Sequence, residues 1–372
     1  MPHLTAARAA GASSAALLPR GMRMIRQQLH RRTGMKKIPV AMVTLGLMML
    51  GGYLVLAQTA PVPPPWAYPT NPPPVPGASP APVPALDMNA SHRVPGSDKA
   101  MTLTQIRNAF DVPDWHPEGH PPMPEVVGKG RRPDVRGCGY CHYPNGKGRP
   151  ENAGVAGLPV SYIVQQMADF KSGARKSSEP RMVPPNLIVQ TAKGATDEEV
   201  RVAAAYFSSL KWTPWVKVVE ATNVPKTKIA GGMFVPREGS EAGMEPLGQR
   251  ILEMPVEPEQ TEMLRDDAAP FIAYVPMGSI KKGQALVTNG GGKTTACTMC
   301  HGANLEGIGP IPPLAGRSPS YTVRQLFDLQ HGNRNGLWAD LMKPVVAKLT
   351  VEDMINTAAY TASRAPAATA TR

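Results

Sequence analysis

Apolar residues recur every three or four positions in two separate segments of the chain, and both segments have the same spacing. This period is typical of an amphipathic helix. A glycine follows each segment, at Gly173 and at Gly332, and indicates where each helix ends. The sequence therefore predicts one helix twice, with Tyr162 matching Tyr321, Val164 matching Val323, Met167 matching Leu326, and Phe170 matching Leu329.

A second pair of matching helices is predicted further along the chain. Thr196 and Thr350 each stand ten residues before a tyrosine, and an acidic residue follows each threonine after three positions. A threonine with glutamate three residues later is a capping box, and aspartate is a close variant of it. The helices predicted from these starts cover Val200–Leu210 and Met354–Arg364. Two agreeing sets of helix starts and stops indicate an internal duplication.

The N-terminal part of the chain has no such period. Residues 1–37 are basic and are predicted to be disordered, whereas residues 38–57 are uncharged and mostly apolar. Twenty residues at about 1.5 Å each approach the roughly 30 Å of a bilayer core. The segment is either an uncleaved transmembrane anchor, which is the favoured interpretation, or a signal peptide cut after Ala57. Both interpretations export the rest of the chain, because the basic flank precedes the apolar segment.

Other segments are predicted from composition. Twelve prolines between residues 61 and 86 indicate that the linker 58–100 is an extended spacer. A short helix is expected over Thr102–Phe110. The connector 213–279 is too long for an ordinary linker, and it is expected to be irregular and partly β. Its predicted strands are Trp215–Val219 and Ile229–Val235, with an irregular stretch over Met244–Pro258 and a disordered tail over residues 365–372 at the end of the chain.

The net charge of +12 does not indicate a nucleic-acid-binding protein. Eight of the 40 basic residues lie within residues 1–37, so 32 basic residues face 28 acidic ones in the remainder. The part of the chain that is expected to fold is therefore close to neutral. We predict no nucleic-acid partner.

All four cysteines of the chain occur in two copies of the motif C-x-x-C-H, Cys138–His142 and Cys297–His301. This motif is the attachment signature of c-type haem. Cys138 with Cys141, and Cys297 with Cys300, would bind the vinyl groups of two haems. A thioredoxin-like redox pair does not require the histidine, and the cysteine pairs of a structural zinc site usually lie closer together in sequence. Two covalently bound haem c groups are therefore predicted.

The histidines of the two motifs, His142 and His301, are predicted to ligate iron from one side. On the opposite side we predict Met182 and Met342, which lie 40 and 41 residues further on and both occur as Met-x-Pro. Met167 matches a leucine in the repeat and is interpreted as a core residue. Met299 lies inside its attachment loop, where it cannot reach the far face. The alternative ligands His116, His120 and His331 have no counterpart in the repeat.

These motifs together resemble those of class I c-type cytochromes and, because they occur twice, those of di-haem cytochromes of the cytochrome c4 kind. The resemblance covers about 125–212 and 280–364, and it implies a mostly α fold with two small helical haem domains, 101–212 and 280–364. In this family a Pro-x-Leu-x-Gly loop offers a proline carbonyl to the haem histidine. Pro312–Gly316 fits this pattern, whereas the first module has Ala153–Gly157 instead. Arg175 and Arg334 either pair with haem propionates or are exposed to solvent.

A His/Met pair fills the coordination of iron and leaves no substrate site. We therefore predict a periplasmic, membrane-associated electron carrier with no catalytic residues. Its expected donor is a dehydrogenase or a quinol-oxidising protein, and its acceptor is a terminal oxidase or another protein. The alternatives are a di-haem peroxidase or haem oxidoreductase with one open iron site, and a cytochrome subunit of a dehydrogenase complex that docks through residues 213–279.

Overall fold

A computed structural model of the protein describes residues 61–71 and 85–366. The predicted basic segment 1–37 and apolar segment 38–57 lie outside the described residues, as do residues 72–84 and 367–372. Across the described ranges, no helix is both long enough and apolar enough to span a bilayer.

In the first helical module, three long helices follow the C-x-x-C-H motif, and the first of them packs against the other two. A short helix over Thr102–Phe110 was expected, but the helix there ends at Ile106, because the Asn108 side chain accepts the backbone N–H of Phe110 and turns the chain. The elements are β1 Ser91–His92, β2 Met101–Thr102, α1 Leu103–Ile106, α2 Glu125–Gly128, β3 Gly130–Arg131, β4 Val135–Arg136, α3 Cys138–His142, α4 Val160–Ser172, α5 Val183–Gly194 and α6 Asp197–Ser209.

The second helical module repeats the last four of these helices in the same order and adds one helix in front. Its elements are α7 Ser279–Asn289, α8 Thr298–His301, α9 Pro319–Gln330, α10 Ala339–Val346 and α11 Val351–Ser363. Helices α7 and α11 pack against each other, and α9 packs against α11. The duplication predicted from the sequence is therefore present in the order of the helices.

Both predicted capping boxes are confirmed. The Thr196 hydroxyl accepts the backbone N–H of Glu199, and the Thr350 hydroxyl accepts that of Asp353, each at 3.1 Å. The acidic side chain returns the bond to the threonine N–H in both cases. The closing helices α6 and α11 consequently begin directly after their caps, three residues earlier than predicted. Each cap satisfies backbone donors that a helix start leaves unpaired.

The connector forms small sheets, and two of its strands lie within the stretch Met244–Pro258, which was predicted to be irregular. Strand β5 Val216–Glu220, which was predicted, pairs in parallel with β11 Phe271–Val275, and β11 pairs antiparallel with β10 Leu252–Pro255. The single strand predicted over Ile229–Val235 is wrong, because Gly231 and Gly232 have φ of 55° and 81° and turn the chain. The strands on either side are β7 Thr227–Ala230 and β8 Met233–Pro236, and β6 Asn223–Pro225 pairs with β9 Met244–Pro246.

The last part of the connector packs on the first module beside its C-x-x-C-H motif. The indole N–H of Trp115 donates to the carbonyl of Leu264 at 2.8 Å, and Asn145 donates to the carbonyl of Asp267 at 2.7 Å. The guanidinium of Arg265 lies 4.1 Å from the ring centre of Tyr140. These contacts join segments about 120 to 150 residues apart in the chain. The connector is therefore part of the folded body and not a free linker.

Residues 61–71 of the predicted linker also pack against the folded body. Ala67 and Tyr68 are buried, at 0% and 2% exposure. The Tyr68 hydroxyl donates to the Asp328 carboxylate at 2.8 Å, and Arg324 donates to the carbonyl of Ala67 at 2.8 Å. Both partners lie on α9. This part of the Pro-rich segment is thus a strap on the second module instead of an extended spacer.

Replacing Tyr68 by phenylalanine should weaken this strap. The lost hydrogen bond ends on a charged group, so we expect the free energy of unfolding to fall by about 1.5–3 kcal/mol. Tyr68→Ala, which also leaves a cavity, should cost about 3–5 kcal/mol. Chemical denaturation of the haem-loaded protein measures both values. Unchanged unfolding in both variants would show that the strap does not contribute to stability.

Candidate functional site

Each C-x-x-C-H motif lies on one helical turn that brings its side chains to one place. In the first module the whole motif forms α3, and in the second module Thr298–His301 forms α8, with Cys297 in helical conformation at its cap. The four cysteines form no disulfide bond. The helical turn sets the two thiols of each motif and the following imidazole in one local frame, as attachment to one haem requires.

The two histidines make the same hydrogen bond. The Nδ1 atom of His142 lies 2.8 Å from the carbonyl oxygen of Ala153, and Nδ1 of His301 lies 2.8 Å from that of Pro312. A carbonyl can only accept, so Nδ1 carries the proton and Nε2 keeps its lone pair for a metal. The proline contact predicted for the second module is confirmed, and a backbone carbonyl replaces it in the first. This donor set fits haem iron.

Burial adjusts the charge state of the site. It lowers the pKa of His142 and of His301 below the ordinary value, and this outweighs the opposing effect of each carbonyl bond. Both imidazoles are therefore neutral at physiological pH, which is the form that ligates metals. Burial also raises the pKa of Cys138 to about 12 and that of Cys297 to about 11. Cys138 and Cys297 each pack against a hydrophobic cluster, and such apolar surroundings suit a porphyrin.

The two predicted methionine ligands differ in burial. Met182 is 1% exposed and directly precedes α5 within the central hydrophobic core, whereas Met342 is half-buried on α10 and packs at the edge of that core. Met299, which was excluded as a ligand, is 72% exposed on α8. Met167 is half-buried on α4. Met182 directly precedes α5, whereas Met342 lies inside α10, so the two methionines differ in their position relative to the helix.

The alternative histidine ligands are bound to protein groups. Nε2 of His116 lies 3.0 Å from the Asp266 carboxylate, and Nε2 of His120 lies 3.2 Å from that of Asp114. Nδ1 of His331 contacts the carbonyl of Phe327 on its own helix at 2.9 Å. His116 therefore joins two distant segments of the chain, and Nδ1 of His120 lies 3.0 Å from the hydroxyl of Tyr206 on α6.

Arg175 and Arg334 occupy matching positions in the repeat and have a structural role that the sequence does not reveal. Their backbones pair as an antiparallel bridge, so the two modules meet here. Arg175 is 7% exposed and Arg334 is half-buried, so of the two alternatives for these arginines, full exposure to solvent does not hold. Each arginine crosses to the other module: Arg175 donates to Tyr321 at 2.9 Å and to Gln325 at 2.7 Å, and Arg334 donates to Tyr162 at 2.7 Å and to Gln166 at 2.9 Å.

Arg317 is a further residue of the site that the sequence did not single out. It follows Gly316 of the Pro-x-Leu-x-Gly loop, where the repeat register has Leu158 in the first module. This replacement of an apolar residue by arginine at a matching position is the signal in the sequence that points to Arg317. Its side chain is 8% exposed and reaches the loop that contacts His142.

Comparisons with known proteins match the chain to cytochromes c. Residues 280–364 match the family model of cytochrome c. The chain is 32% identical over 162 residues to cytochrome c4 of Stutzerimonas stutzeri, covering 38% of this chain and 76% of that protein. It is 26% identical over 222 residues to the thiosulfate dehydrogenase electron acceptor of Thiomonas intermedia, covering 59% of this chain and 74% of that protein. The structure of reduced recombinant cytochrome c4 from Pseudomonas stutzeri aligns with a TM-score of 0.40 and 22% identity, over 61% of this chain and 93% of that chain.

Two helical modules, each with a thiol pair and a carbonyl-bonded imidazole, define a carrier of covalently bound haem. The chain belongs to the class I c-type cytochromes, as a di-haem protein of the cytochrome c4 kind. It therefore binds haem c covalently and transfers electrons, and two haems match its two motifs. The predicted mostly α class, with two small cytochrome c domains and a partly β connector, is confirmed.

Proposed function

We propose that Cys138 and Cys141 hold one haem and that Cys297 and Cys300 hold the other. His142 and His301 ligate the two irons through Nε2. The observation that carries this assignment is the pair of 2.8 Å contacts from Nδ1 to a backbone carbonyl, which leaves the other nitrogen of each ring free. When bound, each haem supplies one-electron redox chemistry. The protein contributes ligands, burial and orientation.

Met182 and Met342 are proposed as the ligands on the opposite side. Support comes from their matching Met-x-Pro context and from the burial of Met182. A thioether raises the reduction potential. Six protein or porphyrin donors on each iron would leave no site for a substrate, so electrons would leave and enter through the haem edge.

We further propose that the protein works on the periplasmic side of the inner membrane, with residues 38–57 as an anchor or export signal. It would take electrons from a dehydrogenase or quinol-oxidising protein and pass them to an oxidase or another acceptor. The names of two relatives, both thiosulfate dehydrogenase electron acceptors, favour a dehydrogenase as donor. N-terminal sequencing of the mature protein distinguishes an anchor from a cleaved signal.

The same names favour a second candidate, a cytochrome subunit bound to a dehydrogenase. Affinity purification from the native membrane fraction separates the two. A freely diffusing carrier should elute alone and reduce or oxidise a partner in trans, whereas a subunit should elute with a dehydrogenase in fixed stoichiometry.

A redox titration tests the site. We expect two different midpoints, because Pro312 fixes the carbonyl on His301 with a rigid backbone whereas Ala153 serves His142. The methionine proposed for the first haem is also the more deeply buried of the two. A pyridine haemochrome assay on the same sample should give two haems per chain. A single midpoint carrying both haems would contradict this proposal.

A further inference from the structure

Arg317 links the loops that serve the two haem histidines. Its Nη1 donates to the carbonyl of Gly154 at 2.7 Å, and its Nη2 donates to that of Ala156 at 3.0 Å, both in the first module. Its Nε donates to the carbonyl of Pro313 in its own loop at 2.9 Å. One planar guanidinium thus binds three backbone carbonyls on two modules. This use of a fixed fork of donors is open to arginine and not to lysine.

The surroundings hold this guanidinium in place. It lies 4.3 Å from the ring centre of Trp212, a distance typical of a cation–π contact. The same indole closes on Gly154, where a Cβ atom would come within 2.6 Å of the ring. Residues 153–156 are therefore enclosed between Trp212 and Arg317, with no space for a side chain at Gly154.

The two loops contact the histidines one residue away from these bonds. Ala153, whose carbonyl accepts from His142, directly precedes Gly154. Pro312, whose carbonyl accepts from His301, directly precedes Pro313. The second loop has two prolines that restrict its backbone, whereas the first loop has none. The first loop consequently depends on other contacts to hold its carbonyl in position.

We propose that Arg317 is a positioning residue for the haem ligand of the other module. It holds residues 153–156 so that the Ala153 carbonyl stays on the Nδ1–H of His142, and in this way it replaces the proline that the first module lacks. The inference depends on the proposed function, in which His142 ligates the first haem. The second module thereby sets the electron-donating strength of a ligand in the first.

Two effects of Arg317 on the first haem have opposite signs. A hydrogen bond from Nδ1–H to a carbonyl strengthens donation by the imidazole and stabilises ferric iron, so loosening it raises the potential. The positive charge of Arg317 favours the ferrous form, so removing the charge lowers the potential. Burial lowers the pKa of Arg317 to about 10, which leaves it a cation at neutral pH. Arg317→Lys keeps the positive charge but lacks the planar guanidinium that binds three carbonyls. The effect of this variant on the potential therefore reports the positioning of the loop and not the loss of charge.

The test uses the haem-loaded protein with the substitution Arg317→Lys. The midpoint of the first haem should rise by more than that of the second, and the Nδ1–H of His142, followed by NMR, should exchange with solvent several-fold faster. The matched control is Arg324→Lys, since Arg324 is also a buried arginine that donates to backbone carbonyls, those of Ala67 and Pro150, which lie outside residues 153–157 and 312–316. The control should leave the exchange rate of His142 unchanged.

Equal exchange rates in Arg317→Lys and the unmodified protein, with unchanged midpoints, would overturn the proposal. So would a shift of equal size at both haems. If Arg317→Lys does not yield holoprotein, Arg317→Gln serves instead, with the exchange of His142 Nδ1–H as the deciding measurement. Failure of the proposed function is distinguishable, because it would appear in the unmodified protein as a missing haem or a missing histidine ligand.

Discussion

Replacing Cys297 and Cys300 together by serine is expected to leave one covalently bound haem per chain instead of two. Serine cannot form the thioether bonds, and the second motif contains no other thiol. The pyridine haemochrome assay and the intact mass of the protein measure the loss directly. The reciprocal pair, Cys138→Ser with Cys141→Ser, should lose the other haem. Each variant should retain one of the two midpoints, which assigns the midpoints to the modules.

Met299→Leu is the matched control for the cysteine variants. Met299 lies between the two cysteines of the second motif but is 72% exposed, so its replacement should keep both haems and both midpoints. If the cysteine-free second motif still carried a haem that survives denaturation, attachment through Cys297 and Cys300 would be disproved.

Local sequence signals predicted the helices well, because helix starts and ends depend on neighbouring residues. The capping boxes at Thr196 and Thr350 place two helix starts within three residues. Gly173 follows α4 and Gly332 follows α9, and both glycines adopt left-handed φ values, of 80° and 70°. A helix end of this kind is set by the conformational freedom of one residue, so it can be recognised without tertiary information.

Contacts between distant segments could not be predicted in the same way. The parallel pairing of β5 with β11 joins residues about 55 positions apart, and nothing in either strand specifies its partner. Composition alone indicated an extended linker around Tyr68, but burial of one aromatic side chain against α9 outweighs that tendency. That Arg175 and Arg334 pair with each other could not be predicted either, because matching positions in a repeat need not be in contact.

The contacts between the modules have a consequence for folding. The hydrophobic core is continuous across the two modules, and it includes Met182 and Phe207 of the first and Phe327 and Ile355 of the second. A shared core, the crossing arginines and Arg317 together imply that neither module is an independent unit. Loss of one haem should therefore lower the unfolding temperature of the whole chain in a single transition rather than melt one half.

Met182→Ala is expected to open the sixth coordination position of the first haem. The midpoint of that haem should fall by on the order of 100 mV, within the about 0.8 V range that axial ligands span. The ferrous variant should bind carbon monoxide at one haem per chain. In the ferric variant, the weak long-wavelength absorption band of methionine-ligated haem should lose about half its intensity if both methionines are ligands. Since Met182 is 1% exposed, the variant should also lose about 2–5 kcal/mol of stability.

Met167→Ala removes the same side chain from a half-buried position in the same module and separates loss of a ligand from loss of packing. It should lower stability but leave both midpoints, the absorption band and the resistance to carbon monoxide unchanged. Met342→Ala should reproduce the effect of Met182→Ala at the second haem, with a smaller loss of stability because Met342 is only half-buried.

A first haem that stays closed to carbon monoxide in Met182→Ala would mean that another side chain ligates it. The alternative ligands His116 and His120 would then be tested next, and each would have to leave its carboxylate partner, Asp266 or Asp114, to bind iron.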